Sequence, residues 1–122
     1  MYGALTLSKG EIEYLNDQDK ALDPIEAARQ FSYSGPYFEL IEELPAQEFL
    51  ETYQRFRKLE ASPAEILEFA YLEKSARKPI KLFSSGMKQR LRLSLALFSQ
   101  SQVVILDEPS ANLDPDGVAW LQ

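Results

Sequence analysis

Two adjacent carboxylates, Asp107 and Glu108, follow the apolar run Val103-Val104-Ile105-Leu106 and precede Pro109. A continuous apolar run of this kind is expected of a strand covered on both faces. In open α/β sheets, ligands bind beyond the carboxyl ends of the strands, which is where these acids fall. Two acids there suit phosphoryl transfer. One can hold Mg²⁺, partly through water, because this ion prefers oxygen ligands and keeps some of its hydration. The next can orient or deprotonate an attacking water. Taken alone, the same residues read equally as a strand running into a polar turn.

The flanking segments change that balance. Upstream, Phe83-Ser84-Ser85-Gly86-Met87-Lys88-Gln89-Arg90-Leu91 puts two hydroxyls and a glycine where a helix begins. Free N–H groups and the helix dipole make such an end an anion site. Gly86 lets backbone approach a phosphate closely, and serine hydroxyls can donate to phosphate oxygens; a plain serine N-cap is the simpler use of the same residues. Downstream, Ser110-Ala111-Asn112-Leu113-Asp114 is a polar loop ahead of Pro115, where Asp114 suits an N-cap and Pro115 a first helical position.

Further elements must position these groups. Residues 87–99 carry Met87, Leu91, Leu95 and Phe98 on one stripe, widened by Leu93, Ala96 and Leu97, so this helix is expected to be largely buried. Residues 46–59 show helical spacing at Phe49, Leu50, Tyr53 and Phe56, with Glu51 and Arg55 one turn apart. Ser62-Pro63-Ala64-Glu65 is a capping-box start for a second helix. Residues 24–28 suit a short helical turn and residues 31–34 a short strand, ended by Gly35-Pro36. Residues 3–15 read as a turn and then an alternating strand over 11–15, and residues 74–79 as a basic loop.

Composition narrows the chemistry. The chain has 122 residues, enough for one small domain, and a net charge of −6 that argues against general nucleic-acid binding. The basic runs 74–81 and 88–92 are expected to be solvated faces. With no cysteine and no histidine, thiolate sites and the commonest general base are excluded. No apolar run is long enough to span a membrane and no signal peptide is visible, so a cytoplasmic location is expected.

Taken together and in order, three segments resemble the ABC ATPase family. Phe83-Ser84-Ser85-Gly86-Met87 is similar to its Leu-Ser-Gly-Gly-Gln signature, residues 103–108 to Walker B with the trailing glutamate, and residues 110–114 to the D-loop. The likeness extends weakly to residues 3–14, as the segment after the Walker A helix, and to residues 31–36, as the strand leading to the Q-loop, where Pro36 stands in place of the family glutamine. The resemblance implies an α/β fold, a partial P-loop NTPase-like domain. About 1–36 would be core, 37–82 a helical subdomain, and 83–122 the signature, Walker B and D-loop. No Gly-x-x-x-x-Gly-Lys-[Ser/Thr] loop occurs and the switch histidine has no counterpart, so the chain reads as a fragment.

The family pattern carries roles with it. Ser84, Ser85 and Gly86 would touch the γ-phosphate of ATP held by a second ATPase domain. Asp107 would hold Mg²⁺, Glu108 would polarise the attacking water, and Ser110 and Asp114 would meet the partner. ATP and Mg²⁺ are the implied cofactors. A second ATPase domain, in a homo- or heterodimer, and transmembrane transporter subunits are the implied partners, with no nucleic acid. The parent would be a transporter ATPase on the cytoplasmic face of the membrane, and the chain alone would be inactive. The alternatives are a soluble ABC ATPase of translation or DNA maintenance, and a non-catalytic interaction module.

Overall fold

The computed structural model describes residues 8–36 and 38–122. The expected turn at residues 3–7 lies outside them. Two strands, β1 (Phe31–Ser34) and β2 (Val103–Leu106), pair in parallel, with Phe31 opposite Val103 and Ser34 opposite Leu106. Among the described residues the α-helices are α1 (Pro24–Arg29), α2 (Ala46–Tyr53), α3 (Pro63–Phe69), α4 (Ser85–Phe98) and α5 (Pro115–Leu121), of which α1 and α4 pack on the strands. This mixture of helices and parallel strands is the α/β partial domain expected.

Local chemistry starts each helix. Asp23 accepts from the Ile25 amide at 2.8 Å ahead of proline, which opens α1. Ser62 and Glu65 form the full capping box of α3: Glu65 Oε2 accepts from the Ser62 amide at 2.8 Å, and Ser62 Oγ from the Glu65 amide. Asp114 caps α5 by accepting from the Gly117 amide at 2.8 Å. Pro45 offers no side-chain cap to α2; the carbonyls of Ala76 and Lys78 accept from Gln47 and Ala46 instead. The segment expected to be a basic loop thus closes the end of a helix, after a 3₁₀ turn at Glu73–Ser75.

The main core lies among the helices. Leu50, Ile66, Leu72, Ile80, Leu91 and Leu95 pack together with at most 1% exposure, so α4 is the shared wall of the helical layer. Its Leu93 and Ala96, also buried, stand outside that cluster, and the Ser32 hydroxyl donates to the Ala96 carbonyl at 2.7 Å, joining α4 to β1. The buried helix expected from its all-round apolar sequence is therefore observed, beginning at Ser85 after a Ser84 cap.

Several expectations fail for identifiable reasons. Residues 11–15 form only an isolated bridge, Leu15 to Ala21, because no neighbouring strand among the described residues pairs with them. Helix α2 stops at Tyr53; the Phe56 and Arg57 amides return to the Tyr53 carbonyl, and the Arg57 guanidinium donates to the Phe31 carbonyl, turning the chain toward β1. Glu51 accepts from Gln47, not from Arg55. The run 88–92 is not a solvated face: Lys88 pairs with Glu42 at 2.7 Å, Arg90 Nε donates to the Ala70 carbonyl, and Arg92 Nε to the Phe38 carbonyl. Strand β2 is not covered on both faces, since Val103 and Val104 remain 44% and 39% exposed, with β1 the one neighbour among the described residues.

Candidate functional site

The N-terminus of α4 and the loop after β2 are built as one unit. Ser84 Oγ accepts from the Met87 amide at 3.2 Å. A hydroxyl that accepts in this way keeps its own proton free to donate. Ser84 and Ser85 are both exposed, so these donors and the free amides of a 14-residue helix face solvent together.

Two contacts lock the loop to the same helix. Buried Gln89 donates through Nε2 to the Pro109 carbonyl at 3.2 Å. Gly86 approaches the Asn112 carbonyl so closely that an added Cβ would stand 3.0 Å from that oxygen. The glycine thus spares a tight contact within the chain, whatever it does for a phosphate. The loop makes its turns with positive φ at Glu108 (48°) and Asn112 (62°), and the Ala111 amide donates to the Glu108 carbonyl at 2.9 Å.

Asp107 and Glu108 are exposed at the carboxyl end of β2. The Asp107 amide donates to the Ser34 carbonyl at 2.8 Å, extending the β1–β2 pairing to this residue. Tyr33 hydroxyl stands 3.5 Å from Asp107 Oδ2. The Tyr33 ring lies over Gly35, where any Cβ would overlap it. Among the described residues no three carboxylates gather into a metal-binding group. An Mg²⁺ ion on Asp107 would thus complete its shell with water and phosphate oxygens, which is the habit of this ion, and the exposed carboxylate fits that use.

Each expected site residue can now be placed. Ser84, Ser85 and Gly86 sit on α4, joined through Gln89 and Asn112 to the loop that carries Asp107, Glu108 and Ser110. Asp114 ends that loop with Oδ1 accepting from the Gly117 amide at the cap of α5. Pro36 is exposed in the turn after β1, on the same side of the sheet as Asp107. Gln30 lies at the opposite end of β1, and Gln47 is turned toward Glu51. Sequence reasoning missed Tyr33 and Gln89. Gln89 carried a signal, following Gly86 by one helical turn; Tyr33 carried none, since its approach to Asp107 depends on the pairing of β1 with β2.

Comparisons with known proteins point to a family and to a fold. The family model described as ABC transporter matches residues 1–111. The Nod factor export ATP-binding protein I of Rhizobium etli is 36% identical over 102 residues, covering 75% of this chain and 32% of that protein. The uncharacterized ABC transporter ATP-binding protein YxlF of Bacillus subtilis is 38% identical over 120 residues, 94% of this chain and 39% of that protein. The daunorubicin resistance ATP-binding protein DrrA3 of Streptomyces coeruleorubidus is 38% identical over 90 residues, 70% of this chain and 28% of its own length. The chain thus spans about a third of the curated relatives it matches. Among solved structures, a dimeric post-hydrolysis state of the ATP-binding cassette MJ0796 with ADP and Pi superimposes with a TM-score of 0.68 at 24% identity, covering 88% of this chain and 53% of that one. That likeness speaks to the fold.

Proposed function

Since the chain belongs to the ABC transporter family of ATP-binding proteins, we propose that it is the signature, Walker B and D-loop part of an ATPase that powers transport. Residues up to about 36 would be core, 37–82 the helical subdomain, and 83–122 the part that faces nucleotide. A second ATPase domain would hold ATP in its own phosphate loop and present the γ-phosphate to Ser84, Ser85 and Gly86. Asp107 would hold Mg²⁺, which would neutralise phosphate charge. Glu108 would take a proton from the attacking water. Ser110 and Asp114 would meet the partner domain.

The observation that carries this reading is the clamp between α4 and the loop after β2. Gln89 and Gly86 tie the start of α4 to the loop that carries the paired carboxylates, which is what a site shared between two domains would need from each half. The transporter setting is supported by relatives named as an export ATP-binding protein and an ABC transporter ATP-binding protein. Transmembrane subunits would then anchor the protein on the cytoplasmic face; no helix among the described residues is itself long and apolar enough to cross a membrane.

Two measurements test the proposal. In the longer protein that carries this segment, Glu108→Gln should lower ATP turnover by about 10²–10⁴-fold while ATP binding persists. Turnover at the wild-type rate would remove Glu108 from the role of base. The 122-residue chain alone should bind Mg-ATP at Ser84, Ser85 and Gly86 no more tightly than about the millimolar range, read from amide shifts at those residues by NMR. Micromolar affinity would mean that this part does not depend on a partner for nucleotide.

A further inference from the structure

The strands run parallel, so their starts, Phe31 and Val103, lie at the end of the sheet opposite Asp107 and Glu108. At that far end a concavity of about 540 Å³ opens between three segments: the end of α1, the turn after α2 and the loop before β2. Its volume is in the range of small-molecule sites, roughly 300–1,000 Å³. The segments are distant in sequence but tied by backbone. The Gln102 amide donates to the Gln30 carbonyl at 2.9 Å, and the Gln100 amide to the Lys58 carbonyl at 3.0 Å. The Arg57 guanidinium donates through Nη2 to the Phe31 carbonyl. The walls are therefore held in place before any ligand arrives.

Their charge is one-sided. Arg29, Arg57 and Lys58 line the concavity and no carboxylate does, in a chain whose net charge is −6. Among the described residues the ion pair is Lys88 with Glu42, so none of these three cations has a carboxylate partner. Arg57 Nε is buried without an acceptor. Cations gathered in a concave wall without counter-charge focus a positive potential there, and guanidinium groups match phosphate oxygens in shape as well as charge. Phe56, also on the wall, is 86% exposed and leaves an aromatic face open to a stacking partner.

We propose that this concavity binds a small phosphate-bearing molecule with a planar ring, the chemistry of a nucleoside monophosphate, at a site separate from the one at the carboxyl ends of the strands. Arg29, Arg57 and Lys58 take the phosphate and Phe56 stacks on the ring. The test titrates the chain at low salt with AMP, ribose 5-phosphate and inorganic phosphate, and maps amide shifts by NMR. AMP is expected to bind with a Kd of about 0.1–1 mM, with shifts at Gln30, Gln100 and Gln102 and not at residues 84–86. Arg29→Gln with Lys58→Gln should weaken AMP by about tenfold or more, and Phe56→Ala should bring AMP to the level of ribose 5-phosphate. These side chains are exposed, and circular dichroism checks that the variants fold. Absence of AMP binding at millimolar concentration, shifts confined to residues 84–86, or AMP affinity unchanged by the double substitution would overturn the site. Equal affinity for all three ligands would overturn the ring-bearing class.

Discussion

Glu108 holds a backbone φ of 48° at the point where β2 gives way to the loop, and Asn112 repeats this at 62°. For L-residues the left-handed region costs about 1–2 kcal/mol, least for asparagine. Asn112 is thus an economical choice and Glu108 is not, which fits a side chain retained for what it does at the surface. The prediction belongs to this residue: Glu108→Gly should leave stability unchanged or raise it by up to about 1 kcal/mol in urea denaturation, although it removes the proposed base. A clear loss of stability would show that the carboxylate, and not the backbone, is what the fold uses. Gly35 and Gly86 work in the opposite sense. Both clear space within the chain, one for the Tyr33 ring and one for the Asn112 carbonyl.

At the scale of elements, capping decides where helices start and side-chain capture decides where they stop. The Glu65 carboxyl is held below the ordinary 4.5 by hydrogen bonds from the Ser62 hydroxyl first and the Ser62 amide second, with slight desolvation opposing. A folded-state pKa below the unfolded one adds stability that is full above the unfolded value and is lost as pH falls through the folded value. The cap of α3 should therefore weaken on acidification below 4.5. Glu65→Gln, which keeps an acceptor but does not titrate there, should flatten that part of the stability profile, read as denaturation midpoints from about pH 6 to about pH 3. An identical acid slope in the variant would assign the loss to other carboxylates. Helix α4 uses side-chain capture along its length, not at its end. Its Arg90 and Arg92 reach the carbonyls of Ala70 and Phe38, so basic residues fasten the helix to its neighbours along their apolar stems.

Across the whole molecule the burial is uneven. The helical layer around Leu50, Ile66, Leu91 and Leu95 is closed, whereas β2 shows Val103 and Val104 to solvent and has β1 as its one partner among the described strands. An apolar strand edge with unpaired backbone groups is a template for pairing with another chain. The chain on its own should therefore self-associate with increasing concentration in sedimentation velocity, and Val104→Lys should suppress this. A wild-type chain that stays monomeric at high concentration would refute the exposed edge as an adhesive surface.

How much was legible follows from the range of each interaction. The starts of α3 and α5 were readable because a cap is a contact between residues a few places apart, whereas α4, expected from residue 87, begins at Ser85 and the Asp23 cap of α1 was not read. The family was readable because three short, ordered segments carry the resemblance, and the family match over residues 1–111 bears out that reading of the family. The end of α2 was not readable, since it depends on Arg57 meeting the distant Phe31 carbonyl. The burial of β2 was not readable either, because an apolar run states what a strand can tolerate and only the packing around it states what covers it. The same holds for Gly86 against Asn112 and Gln89 against Pro109. Sequence alone determined which groups could do chemistry and which helices would carry them. Tertiary structure alone decided which groups stand together, because contacts between residues far apart in the chain are set by the shape of the packed molecule.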